Sequence, residues 1–408
     1  MTWPNTITIA TRLFWPQRFG GLEQKALRLA RGLAERTAMR VRVLTETAPG
    51  LADTESPWPG VQIVRLPPLD IGRLWRWRDL LRGRWWRRGL EQWAGDGPII
   101  AFSPMAAAAT VGLGWADRLV YVPVFCQATL SWVVGCYPQM KPMMPGRARR
   151  RMDRRAYRLA SRVVFESLNQ RRQFESQYGP RPNASIVPNG TDVTALAATD
   201  TAAWRRRVGL PVDAFVVGFA GRPEVSCKDV PFLLQAMAGL PRHLWLLLVG
   251  DGADRAEIEQ RIGQLGLADR TVWTGWLDPP TEAYAAMNVL AMPSRFETFG
   301  MVVIEAMAAG TPVVGRRRST DPRRPVLVAN EELIDHDRTG ALVDAHDPTD
   351  MARTLGELAA SPQRAAAMGQ LAQQRAERFG WHHVIDAYAA MLDPGRRRHV
   401  LPRLGDAA

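Results

Sequence analysis

Lysine is almost missing from this chain: of 408 residues only Lys25, Lys141 and Lys228 are lysine, against 50 arginines. Cysteine is as scarce. Cys126, Cys136 and Cys227 show no metal-ligand spacing and no disulfide framework, which excludes a cysteine-stapled domain and points to a reducing cytosol. Histidine is missing from the first half, since all six (His243, His336, His346, His382, His383 and His399) lie beyond it. That half therefore has no imidazole to move a proton near neutral pH. No Asp-x-Asp follows a strand-like run, which argues against a metal-dependent phosphate site. The start, MTWPNTITIATRLFWP, lacks a basic stretch followed by an apolar one, so no signal peptide is expected. Between Pro98 and Met140 the only charges are Asp117 and Arg118, but Pro104, Pro123 and Pro138 interrupt the run. A membrane span needs roughly 20 predominantly apolar residues in succession. Buried strands flanking a small-residue helix explain the segment better.

What is present reads as α/β. Hydrophobic residues make up 46% of the chain, with 34 Gly and 30 Pro, too apolar for disorder and too long for one small domain. Thr6 to Ala10 reads as a strand, followed by Gly20-Gly21 and a helix from about Leu22 to Glu35 with Leu22, Ala26, Leu29, Ala30 and Leu33 on one face. Short apolar runs at Val41–Leu44, Val61–Val64, Ile99–Phe102, Leu119–Val122 and Arg162–Phe165 continue that series. A second series runs through Phe215–Phe219, Leu244–Val249, Val272–Thr274, Val289–Met292 and Pro312–Val314. Strands alternating with helical stretches predict a parallel sheet in each half. The turn-rich stretch after Val187 puts the border between domains 1–195 and 196–380, ahead of a basic tail, 393–408.

Charge is divided as unevenly as lysine. Residues 1–195 hold 29 Lys and Arg against 14 Asp and Glu, whereas residues 196–408 hold 24 against 26. An anionic partner therefore belongs to the first half. Two stretches carry the excess. Arg73 to Trp93 interleaves seven Arg with Trp75, Trp77, Trp85, Trp86 and Trp93, and Arg147 to Arg162 holds eight Arg with one acid, Asp153. Arg with Trp suits a surface lying on anionic lipid headgroups, for which Trp85, Trp86, Arg87, Arg88, Arg150 and Arg151 are the candidates. Nucleic acid is the rival and solvated helix faces the plain alternative.

The chemistry is written in PSRFETFGMVVIEAMAAGTPVV, residues 293–314. A buried strand precedes it, a helical pattern runs from Gly300 to Gly310, and a β-branched strand follows. The first amides of a helix lack internal partners, so a strand, a tight loop and a helix N-terminus make a ready anion site. Glu297 in the loop and Glu305 in the helix bracket it, which suits a ligand with phosphates in its middle and hydroxyls at both ends. In the loop after Phe215–Phe219, Arg222 and Lys228 could neutralise a departing diphosphate. A lysine kept in a chain that otherwise writes arginine marks a place for a compact ammonium.

This segment, with Pro-Ser before it and Phe-Gly within it, resembles the retaining glycosyltransferases of family 4. The resemblance implies GT-B architecture: two facing doubly wound Rossmann-like domains with a nucleotide-sugar cleft between them. It implies that Glu297 meets the donor sugar, that the amides of Thr298 to Gly300 meet the diphosphate and that Glu305 holds the ribose. Arg222 and Lys228 match the family's cation pair, and Gly20 and Gly21 its N-terminal glycine loop. Residues 381–392 would be the closing helix that crosses back to the first domain. The family's usual first-domain histidine is absent, and Gln127 and Cys126 are the candidates for its place. The implied reaction is retaining hexosyl transfer from a UDP- rather than GDP-sugar, without a metal or other cofactor. Its acceptor is expected to be a lipid-linked or cell-envelope glycan, at the cytoplasmic face of the membrane. A sugar-nucleotide epimerase of the same fold and a degenerate binding scaffold are the alternatives.

Overall fold

The computed structural model describes residues 6–16, 20–37, 39–68, 78–124, 126, 146–193, 200–321 and 323–393. Gln127, Trp75, Trp77 and the tail after residue 393 lie outside them. The chain forms two compact units, one running to Asn189 and resuming at Trp381, the other Gly190–Gly380. The division falls slightly ahead of the 195/196 border read from the sequence.

The first unit is built on β1 (Thr6–Ala10), β2 (Arg40–Glu46), β3 (Thr54–Trp58), β4 (Val61–Leu66), β5 (Ile99–Ala101), β6 (Leu119–Tyr121), β7 (Arg162–Phe165) and β8 (Ala184–Ile186). Their order in the sheet is β3-β4-β2-β1-β5-β6-β7-β8. All pairings are parallel except β3 with β4. β3 was not expected, because Pro57 and mostly solvent-facing side chains hide an edge strand from any hydrophobic pattern. Helix Gly21–Arg36 follows β1 and buries Lys25, Ala26, Leu29, Ala30 and Leu33. Helix Trp381–Leu392 packs on it at Gly32, where a Cβ would stand 2.2 Å from Ile385 Cδ1.

The basic stretches fold as helices Arg78–Trp93 and Gly146–Leu159. Here the proposed lipid-facing set needs correction. Trp86 is 1% exposed and belongs to the first unit's core with Leu90, Ala106, Tyr157 and Phe174. Trp85 is half-buried, stacks edge-on against Trp86 at 5.1 Å and donates its indole N–H to the Pro67 carbonyl at 2.8 Å. These rings turn inward because a helix lying on a sheet buries its apolar stripe there. Arg87, Arg88, Arg150 and Arg151 remain exposed. Asp153, the one acid of the second stretch, is fully buried and accepts hydrogen bonds from Tyr121 (2.5 Å) and Tyr178 (2.9 Å). Burial, then that carboxylate, pushes both phenols far above their usual range. Cys126 is also fully buried in this core.

The second unit carries β9 (Phe215–Ala220), β10 (Leu244–Val249), β11 (Thr271–Gly275), β12 (Val289–Met292), β13 (Val313–Arg316) and β14 (Gly340–Val343). All are parallel, in the order β11-β10-β9-β12-β13-β14. The order reverses between β9 and β12, and ligands of such sheets bind at the carboxyl ends beside that switch. The loops after β9 and β12 hold the expected cations and carboxylates. One core lies on each face of the sheet, around Leu233, Leu246 and Leu355 on one side and Tyr284, Ile304 and Met307 on the other.

Candidate active site

β9 is followed by Gly221, whose φ of 125° lets the chain turn away from the sheet. Gly250, at the end of β10, comes so close that a Cβ there would lie 1.9 Å from the Gly221 carbonyl oxygen. The loop that follows carries Arg222, half-exposed, with its Nε 3.6 Å from Glu224 Oε1. Glu224 is 6% exposed, and its Oε2 has no hydrogen-bond partner among the described residues. Burial pushes its carboxyl upward, opposed by the charges of Arg222 and Lys228. Lys228 ends this loop and contacts Glu297 Oε1 directly, with side chains 16% and 15% exposed. Asp229 follows with φ 46°, a left-handed conformation uncommon outside glycine.

The second loop, after β12, is sewn to the first through its backbone. The Cys227 carbonyl accepts from the N–H groups of Arg295 (2.8 Å) and Phe296 (3.3 Å), and Glu297 N–H donates to the Leu327 carbonyl at 2.9 Å. Arg316, 2% exposed at the end of β13, joins the two loops from below. Its Nη1 donates to Asp229 Oδ2 at 2.6 Å and to the Pro293 carbonyl at 2.8 Å. Lys228 and Glu297 are thus brought together by main-chain hydrogen bonds and one buried guanidinium as well as by their own charges.

Gly300, at φ 106°, turns the loop into helix Met301–Ala308. Among the described residues the N–H groups of Phe299, Gly300 and Met301 find no protein acceptor. That is the open anion site of a helix N-terminus. The Phe299 ring is buried against Phe379 at 6.0 Å, so this residue offers the site only its backbone. Glu305 lies on the same helix and accepts a 2.7 Å hydrogen bond from the Tyr284 hydroxyl on Oε2. Burial raises its carboxyl above the ordinary range, with Tyr284 pulling it down and Asp192 pushing it up.

Arg222, Lys228, Glu297, Thr298 to Gly300 and Glu305 therefore all belong to the loops and helix at the carboxyl ends of one sheet. Gly20 and Gly21 belong to the first unit, as the cap and first residue of helix Gly21–Arg36. Sequence reading overlooked Glu224, Arg316 and Tyr284. Tyr284 sits in Ala-Tyr-Ala-Ala, which looks like plain core, and only the folded chain reveals what its hydroxyl meets. Among the described residues no group of three or more His, Cys, Asp and Glu is placed to hold a metal ion.

Comparison with known proteins decides the family. The sequence profile "Glycosyl transferases group 1" matches residues 214–361, and "Glycosyl transferase 4-like domain" matches 20–190. The chain belongs to the group 1 glycosyltransferases. A D-inositol 3-phosphate glycosyltransferase of Xylanimonas cellulosilytica is 37% identical to this glycosyltransferase over 224 residues, covering 51% of this chain and 50% of the relative. The chain spans about half the length of the curated relatives it matches. Sucrose-phosphate synthase from Thermosynechococcus elongatus superposes with a TM-score of 0.78 at 21% identity, covering 95% of this chain and 98% of that one. Anabaena HepE in complex with UDP-glucose gives 0.73 at 22%, covering 95% and 99%. These two establish the fold, GT-B.

Proposed function

We propose that this glycosyltransferase moves a hexose from a UDP-sugar, with retention of anomeric configuration, onto a phosphate-bearing acceptor. The observation that carries the reading is the contact of Lys228 with Glu297, beside half-exposed Arg222 and ahead of the open amides of Phe299, Gly300 and Met301. In that reading the amides and the two cations receive the diphosphate, Glu297 takes a sugar hydroxyl and Glu305 the ribose. The bond from the sugar's anomeric carbon to the β-phosphate oxygen breaks, and a bond from that carbon to the acceptor oxygen forms on the same face. The acceptor's proton passes to the departing phosphate oxygen, so no enzymic base is needed. Arg222 and Lys228 stabilise the charge that develops on UDP, which is the electrostatic share of such catalysis.

Two acceptors carry the required phosphate: D-inositol 3-phosphate, named for the relatives, and a lipid-linked glycan of the cell envelope. Exposed Arg87, Arg88, Arg150 and Arg151 favour the second, with the enzyme resting on the inner face of the membrane. Purified enzyme with UDP-glucose, UDP-N-acetylglucosamine or GDP-mannose, offered each acceptor in turn, tests this. Release of UDP with an equatorial anomeric proton in the product, read by NMR, is the expected result. Turnover of the GDP-sugar alone, or an inverted product, would overturn it.

A further inference from the structure

Tyr284 has no part in the chemistry described so far, yet its hydroxyl touches the ribose-binding candidate. It sits in the short helix Thr281–Ala286 and is 2% exposed. Its ring belongs to the core between that helix and Met301–Ala308, with Ala283, Phe299 and Met307. The backbone is held as well. Thr311, the residue that opens the next strand connection, donates its hydroxyl to the Tyr284 carbonyl at 2.8 Å. The phenol is thus anchored at both ends, and its single proton goes to Glu305 Oε2 at 2.7 Å.

A carboxylate has two oxygens with about four lone-pair positions. One oxygen of Glu305 is taken by a buried donor. The other, Oε1, accepts from no described residue, and the Glu305 side chain is half-buried rather than buried. A glutamate on an open helix face can rotate about its terminal torsion, which is broad and roughly two-fold. The Tyr284 hydroxyl removes that freedom and leaves one defined acceptor facing outward. A vicinal diol, such as the 2′- and 3′-hydroxyls of a ribose, needs an acceptor held in that way.

We propose that Tyr284 is a positioning residue that orients Glu305 for the ribose diol, and so sets the preference of this site for ribonucleotide over deoxyribonucleotide donors. The proposal rests on the reading of Glu305 as the ribose ligand. Tyr284 touches no substrate; it acts through Glu305. Thr311 secures it from the far side, so the diol-reading unit spans three elements and extends beyond the loop that carries the sequence motif.

The experiment compares UDP with 2′,3′-dideoxy-UDP by calorimetry, on wild type, Glu305→Gln, Tyr284→Phe and the double variant. A site built around a hydroxyl should favour UDP by about tenfold or more. Tyr284→Phe keeps the ring in the core, and a melting curve verifies that it folds. Its discrimination should fall to within about threefold of unity, mostly through weaker UDP binding, and the double variant should be no worse than Glu305→Gln alone. Affinity for inorganic pyrophosphate, which lacks the diol, should stay within about twofold in all four proteins. Loss of discrimination in Glu305→Gln but not in Tyr284→Phe would overturn the positioning role and leave the ribose reading standing. Equal binding of both nucleotides by wild type, or undiminished discrimination in Glu305→Gln, would remove the ribose reading and the proposal with it.

Discussion

Lys228 and Glu297 illustrate how much one contact can be asked to do. With each side chain about 15% exposed, the pair is close to the limit at which desolvation cancels attraction. A diphosphate arriving at the neighbouring amides would give Lys228 a stronger partner and release Glu297 to a sugar hydroxyl. Arg222→Ala and Lys228→Ala should each lower kcat/KM about 30- to 10³-fold, the loss of ~2–4 kcal/mol of transition-state stabilisation. The melting temperature of Arg222→Ala should barely move, because Arg222 is half-exposed, whereas Lys228→Ala leaves the Glu297 carboxylate without its cation and should melt lower. Steady-state kinetics on the two variants checks this, and activity within a few-fold of wild type would end the leaving-group role. The two glutamates should separate by calorimetry. Glu305→Ala should weaken UDP binding, whereas Glu297→Ala should mainly lower turnover, and a reversed pattern would exchange their roles.

Among the elements, the closing helix Trp381–Leu392 is one whose place depends on a missing side chain. Gly32 lets Ile385 enter where a Cβ would stand 2.2 Å away. Lys25, fully buried on the same helix as Gly32, reaches Glu166 Oε1 at 3.2 Å and lies 5.8 Å from the Tyr388 ring. Burial lowers the lysine's pKa, and Glu166 opposes that shift. Of the two lysines the structure describes, one therefore serves the packing of this helix and the other the candidate active site. Gly32→Leu should destabilise the first unit by about 1–3 kcal/mol through overpacking. UDP affinity, a property of the other unit, should stay unchanged. Denaturant melts read beside calorimetry would show it, and a parallel loss of both would contradict the assignment of nucleotide binding to the second unit alone.

Across the whole molecule the excess of arginine lies in the first half, and the exposed part of it can be tested without the chemistry. If Arg87, Arg88, Arg150 and Arg151 meet anionic headgroups, sedimentation with phosphatidylglycerol vesicles should exceed that with neutral ones and fade with salt. Each arginine near such a surface contributes about 1 kcal/mol, so replacing all four with Ser should release most of the bound protein. Equal partitioning onto both vesicle types would leave these arginines as solvated helix faces. Trp86 is not expected to shift its emission on binding, because it is already in the core. Chelation is the second test at this scale. EDTA should leave transfer intact where Arg222 and Lys228 carry the charge. Abolition restored by magnesium would mean that a divalent ion shares it.

The alternation of apolar runs made the two sheets legible, because a buried parallel strand must be nearly continuous in hydrophobic residues wherever it occurs. Glu297, Glu305, Arg222 and Lys228 were legible too, since each sits at a fixed offset from a strand end that the pattern already marks. Edge strand β3 left no such trace. What the tertiary structure alone decided is direction and partnership. Seven arginines and five tryptophans between Arg73 and Trp93 look like one surface in the chain, yet helix packing turns Trp86 into the core and leaves Arg87 and Arg88 outside. Tyr284 lies 21 positions before Glu305, and Asp229 lies 87 before Arg316. Hydrogen bonds across such separations follow from how helices and loops stack on a sheet, a choice made by side-chain volume and burial over the whole unit rather than by any local spacing.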